Sequence, residues 1–190
     1  MIRSMPNTQF TSPMTPRVIT LGGGCFWCLE AVFLRVKGVL AVESGYANGH
    51  QPEPTYAQVC EGNTGHAEVV RISYNPAVIG LRDLLAIFFT IHDPTSLNRQ
   101  GNDVGTQYRS GIYFSDPADH SVAQEVLEEA NQAWGGAVVT ELLPLRNYSK
   151  AEAYHQNYFA QHPEQGYCAF VVAPKVAKFS HSFAQWDNHA

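Results

Sequence analysis

Along this chain the spacing of apolar residues switches repeatedly between two and about three and a half, the periods of strands and helices. Arg17 to Leu21, with β-branched Val18, Ile19 and Thr20, reads as a short strand that Gly22, Gly23 and Gly24 stop abruptly. From Cys25 to Val36 the residues Phe26, Leu29, Val32, Phe33 and Val36 recur at helical intervals, which puts Cys25 at or next to a helix N-terminus. Val39 to Ala47 alternates loosely as a strand. Asn48 to Thr55 is a loop rich in Gly, Pro and Asn, and Tyr56 to Cys60 a short segment after it. His66 to Tyr74 alternates well, ends in the Tyr74-Asn75-Pro76 turn and carries Glu68 among Ala67, Val69 and Val70.

Further on, Leu81 to His92 has helical spacing and stops at Asp93-Pro94, because the residue before a proline resists the helical region. Thr95 to Gln107 is polar, with two glycines and no apolar pattern, and structureless loops of this length are uncommon unless they serve function. Tyr108 to Phe114 is predicted as a strand, Pro117 to Trp134 as a helix with Asp116 as its cap, Val138 to Leu145 as a strand and Ser149 to His162 as a helix. Gly166 to Ala190 shows no clear period and is expected to be irregular. Interleaved helices and strands without repeats predict one α/β or α+β domain over residues 18–190, preceded by a flexible polar tail from Met1 to Arg17.

Composition narrows the class. With 190 residues, 45% of them hydrophobic and 15% charged, the chain has the balance of a folded domain rather than a disordered one. Seventeen acidic against twelve basic residues, a formal charge of -5 and no basic run argue against nucleic acid as a partner. The apolar stretch from Leu84 to Ile91 is far below the roughly 20 residues of a membrane span. The first seventeen residues lack the apolar block of a secretory signal, so a cytoplasmic protein is expected. In that reducing setting four cysteines are candidates for catalysis, metal binding or packing rather than a disulfide scaffold.

The sharpest local signal is Gly24-Cys25-Phe26-Trp27-Cys28 between a strand and a helix. A thiol attacks as thiolate, and the positive end of a helix favours that charge, while the glycines allow a sharp turn and a close ligand. A zinc site would need a second pair of ligands, and Cys60, His66 and Cys168 do not supply one. Cys-x-x-Cys at a helix start also fits a thiol-disulfide exchanger, and a non-catalytic aromatic peptide-binding module is a third reading. A nucleotide site is discarded: there is no Gly-Lys-Ser/Thr, and the glycine run fails the dinucleotide fingerprint.

Gly24-Cys25-Phe26-Trp27, Gly65-His66-Ala67-Glu68 and the run from Gln100 to Ser110, with Pro54-Thr55-Tyr56 and Gly166-Tyr167-Cys168 in the same order, resemble the peptide methionine sulfoxide reductase A family over about residues 18–170. The resemblance implies a two-layer α/β sandwich with a mixed sheet and a ferredoxin-like core. It implies reduction of the S epimer of methionine sulfoxide, free or in oxidised proteins, by a monomer with no bound cofactor or metal and thioredoxin as external reductant. Cys25 corresponds to the nucleophile, and Glu68, Tyr56 and Tyr108 to the groups that hold and protonate the sulfoxide oxygen. Asp103 orders the site, and Phe26 and Trp27 wall the substrate methyl group. Cys168 matches the usual resolving position, with Cys28 as the alternative, and Cys60 is taken as structural.

The chemistry asks for these residue types. Sulfoxide oxygen leaves only when protonated, and a carboxyl raised in pKa by burial can donate at neutral pH. By periodicity alone Glu68 reads as a solvent-facing residue, and the resemblance reverses that.

Overall fold

The computed structural model describes residues 14–190. Most of the expected N-terminal tail, residues 1–13, lies outside the described residues, and Arg17 already belongs to the first strand.

The elements follow in the order β1 (Arg17–Gly22), α1 (Phe26–Phe33), β2 (Val39–Ala47), α2 (Tyr56–Cys60), β3 (Ala67–Tyr74), α3 (Leu81–Ile91), β4 (Arg99–Gln100), β5 (Asp103–Val104) and β6 (Gly111–Phe114). After them come α4 (Asp119–Ala133), β7 (Glu141–Pro144), β8 (Ser149–Lys150), α5 (Tyr158–Gln161) and α6 (Ala173–Ser182). Six strands form one sheet in the order β7-β6-β1-β3-β2-β8. Its centre is antiparallel, with Leu21 opposite Val70, Gly22 opposite Gly111, and Tyr46 opposite Glu68. Only β7 runs parallel to its neighbour, which makes the sheet mixed. The unit β1-α1-β2-β3-α3-β6 with its strand order β6-β1-β3-β2 is the ferredoxin-like core that the resemblance implies.

Period two decides which side chains of β3 meet the helices. Val70, Ile72 and Tyr74 join the main core with Phe33, Leu84 and Phe88, and Glu68 shares their face. Ala67 and Val69 turn to the opposite face, where Leu145 and Tyr148 cover them. Burying each large apolar side chain contributes on the order of 1.5–3 kcal/mol, so the core face outweighs the cost of one enclosed carboxyl.

Several expected elements are corrected. The helix expected over 149–162 is replaced by β8, a 3-10 turn and the short α5, because Ser149 and Lys150 pair with Tyr46 and Gly45 at the sheet edge and Asn157 adopts a left-handed conformation, φ 55°. The C-terminal segment expected to be irregular forms a π-helical turn, Cys168–Val172, running into α6. Its apolar residues Val172, Val176 and Phe179 recur at helical spacing and bury against the core, and Pro174 sits in the first turn, where its missing N–H costs nothing. The strand expected from Tyr108 starts at Gly111, with Thr106–Tyr108 as a 3-10 turn. Likewise, β7 is shorter than expected, and α4 begins at Asp119 behind an Asp116 carboxylate that accepts from the Ala118 N–H at 2.9 Å. Among the described residues no helix is long and apolar enough to cross a membrane.

Candidate active site

Cys25 caps α1 in an extended conformation, φ -59° and ψ 128°, at the end of the glycine turn that β1 feeds. Gly24 takes φ 89°, which L side chains rarely adopt, and a Cβ there would lie 2.6 Å from Gln100 Cγ. The buried Gln100 amide in turn accepts from the Asp93 N–H at 2.8 Å and donates to the Asp93 carbonyl at 2.9 Å. Asp93 ties the loop further by accepting from Thr95 and Ser96, and β4 and β5 form a two-stranded hairpin within it. The segment expected as a structureless loop is thereby fastened over Cys25 by hydrogen bonds that leave no apolar period in the sequence.

Glu68 is 1% exposed, and its carboxylate accepts from the Phe26 backbone N–H at 3.0 Å, at the N-terminus of α1. Burial pushes its pKa up to about 8, against the pull of that N–H, with the Asp103 charge adding to the rise. Glu68 is therefore protonated at neutral pH and able to donate.

Cys25 is 9% exposed, and its thiol is pushed well above the ordinary range by burial first, then by Glu68 and Cys28. The Trp27 N–H and the Tyr167 hydroxyl oppose this without prevailing. The helix end is expected to favour a Cys25 thiolate, and burial works against it, because desolvation outweighs the few N–H groups of a short helix.

Glu68 acts on both the Tyr56 and Tyr108 hydroxyls, and Asp103 and Cys25 also act on Tyr108. The Tyr56 ring stacks 6.5 Å from that of Phe26, whose N–H Glu68 holds, and the 3-10 turn of Tyr108 packs on β3. Burial raises both, which keeps them protonated donors. Asp103 accepts a hydrogen bond from the Tyr167 hydroxyl, whose oxygen lies 4.0 Å from Cys28 Sγ. Phe26 is wholly enclosed, with ring centroids 5.8 Å from Tyr46 and 6.5 Å from Tyr56. The half-buried Trp27 lies flat on Tyr158, centroids 3.7 Å apart and planes at 4°.

A buried acid, a thiol and two neighbouring phenols are the parts for protonating and displacing an oxygen on sulfur. A profile of the family described as "Peptide methionine sulfoxide reductase" matches residues 17–187. The chain belongs to the peptide methionine sulfoxide reductase family. A relative from Polynucleobacter asymbioticus, "Peptide methionine sulfoxide reductase MsrA", is 56% identical over 166 residues, covering 86% of this chain and 87% of its own. Among solved structures, reduced Mxr1 from Saccharomyces cerevisiae superposes with a TM-score of 0.76 at 40% identity, covering 83% of this chain and 91% of that one. Mxr1 in complex with Trx2 gives a TM-score of 0.54 at 31% identity, covering 80% and 91%.

Within this family member the structure gathers Cys25, Glu68, Tyr56, Tyr108 and Asp103, but it separates the two candidate resolving thiols. Cys28 is among the groups that act on Cys25, one helical turn along α1. Cys168 is fully buried in the π-helical turn and donates to Gln165 Oε1 at 3.6 Å. Cys60, taken as structural from the sequence, is exposed at the end of α2. Among the described residues no group of three His, Cys, Asp or Glu side chains gathers as a metal site.

Two residues escaped the sequence reading. Tyr167 was visible only as part of a motif. His155 is completely buried and accepts from Trp27 Nε1 at its Nδ1, 3.1 Å, while packing on Tyr56 and Phe26 with centroids 4.4 and 5.0 Å away. Burial lowers its pKa, so it stays neutral and able to accept. Neither a helical nor an alternating pattern marks His155, since it sits in a 3-10 turn.

Proposed function

We propose that the chain carries out its family's reaction, reduction of methionine sulfoxide to methionine, with Cys25 as nucleophile and Glu68 as acid on the S epimer, free or in oxidised proteins. The observation that carries this is the enclosed Glu68 carboxyl, protonated up to about pH 8 and anchored to the first N–H of the helix that Cys25 caps. Cys25 sulfur bonds to the sulfoxide sulfur while Glu68 gives its proton to the oxygen and the vacated carboxylate takes the thiol proton. The hydroxyl then passes from the substrate sulfur to Cys25 sulfur as the bond between the two sulfurs breaks, methionine leaves, and Cys25 remains as a sulfenic acid. Tyr56 and Tyr108 donate to the charge that develops on oxygen. Trp27, held by His155 and Tyr158, walls the methyl group, with Phe26 behind it. Thiol-disulfide exchange alone would leave Glu68 and the two phenols without a task.

Cys28 then displaces hydroxide from the sulfenic acid to give a Cys25–Cys28 disulfide. Its place beside Cys25 supports this over Cys168, which would have to leave the buried π-helical turn. A thioredoxin reduces the disulfide, supported by the Mxr1 relative in complex with Trx2. The cytoplasm is the setting proposed, a reducing compartment in which these free thiols persist.

Stereodefined substrates test the reading: with thioredoxin and its reductase, methionine should form from the S epimer and not from the R epimer, and no product from S would overturn it. For resolution, Cys28→Ser should release one methionine per chain and then stop, while Cys168→Ser should recycle. The reverse pattern would return the role to Cys168. His155→Ala frees the Trp27 indole and should lower kcat/KM by about two- to tenfold, the equivalent of one lost hydrogen bond, with unchanged thioredoxin coupling. Steady-state kinetics at fixed thioredoxin measures it.

A further inference from the structure

Beside the site, but on the α6 side of it, lies a groove of about 340 Å³ lined by Gln100, Asp103, Tyr167, Val171 and Lys175. Lys175 stands in the first turn of α6, which packs on α1, the helix that carries Cys28. Its ammonium enters no ion pair with a carboxylate among the described residues. Nothing in the sulfoxide step uses it.

The groove's wall connects to Cys28 through one atom. The Tyr167 hydroxyl donates to Asp103, and its oxygen lies 4.0 Å from Cys28 Sγ. Tyr167, Asp103 and Lys175 line the same groove, which so reaches to within one hydroxyl of the Cys28 sulfur. Resting on the reading of Cys28 as the resolving thiol, we propose that Lys175 is the cation that holds the Cys28 thiolate, both when it attacks Cys25 and when it leaves during re-reduction.

The charges around Cys28 support this assignment. Burial pushes the thiol up to about 11, and Lys175 is the largest influence drawing it back, followed by the Tyr167 hydroxyl. Asp103 from the β4–β5 hairpin and Glu68 from β3 act the other way, and Cys25 faces it from the helix cap. His92, which also feels Lys175, is depressed to about 4 by burial and is neutral at working pH. In resolution the Cys28 thiolate bonds to Cys25 sulfur and hydroxide leaves, taking a proton to become water. In re-reduction a thiolate of the external dithiol attacks Cys25, the S–S bond breaks, and its electron pair returns to Cys28 beside Lys175. The second thiol of the dithiol then releases Cys25. A better-stabilised thiolate is both more populated and a better leaving group.

Lys175→Met is the test, with Lys175→Arg as the rescue. In Lys175→Met the burst of one methionine per chain should keep its rate, while the sulfenic acid, trapped by a dimedone-type probe, should persist about three- to tenfold longer. The alkaline rise of disulfide formation should move up by as much as about one pH unit, and Lys175→Arg should restore both. Peptide mapping of the oxidised protein separates the two layers of argument. A Cys25–Cys28 disulfide that forms at the wild-type rate in Lys175→Met overturns the role of Lys175 alone. A Cys25–Cys168 disulfide overturns the reading of Cys28 and the inference with it. Equal slowing of the burst and of resolution would mark a general disturbance of α6 and also overturn the proposal.

Discussion

Replacing Cys25 with serine should abolish methionine release, including the first stoichiometric turnover, while the folded chain keeps its melting temperature within a few degrees. A serine hydroxyl at the α1 cap is close in size to the thiol, so the packing against Phe26 and Cys28 survives. What is lost is the nucleophile: an alcohol attacks sulfur far less readily than a thiol and cannot carry oxygen away as a sulfenic acid. Single-turnover chromatography of free methionine, beside circular dichroism, measures both halves. Turnover retained in that variant would remove Cys25 from the chemistry altogether.

Glu68→Gln should slow the sulfoxide step by 10²-fold or more, the usual size of a lost general acid. Glutamine keeps the shape and its amide oxygen can still accept from the Phe26 N–H, so a large loss is assigned to the missing proton. The pH profile supplies an independent check. Because burial raises Glu68 to about 8, the protonated donor is fully present at pH 6 and is lost as pH climbs through 8, so the wild-type single-turnover rate should fall on that limb. In Glu68→Gln the limb should disappear. A rate indifferent to the substitution would return Glu68 to a purely structural role on β3.

Much of the fold was legible because burial writes a period into the sequence. The β-branched run of β1, the helical spacing of α1 and α3, and the alternation of β3 all correspond to faces that meet one core. Legibility failed where the chain is short-ranged or edge-bound. Ser149 and Lys150 pair with the sheet only because β2 offers a free edge, and the loop over Cys25 is fixed by Gln100 and Asp93, polar residues whose partners are each other. The missed α6 keeps only Val172, Val176 and Phe179 on its buried face, a short period that a π-helical turn introduces out of step with an α-helix.

For the site, residue type and order singled out Cys25 after its glycine turn, whereas Glu68, Tyr56 and Tyr108 were picked out only by the resemblance to the family, since alternation alone puts Glu68 on a solvent-facing side. The linear order determined which side chains were available and roughly where helices and strands would carry them. Only the folded arrangement decided their surroundings, because desolvation depends on everything packed around a group: burial raised both the Glu68 carboxyl and the Cys25 thiol, and it enclosed Cys168 in the π-helical turn.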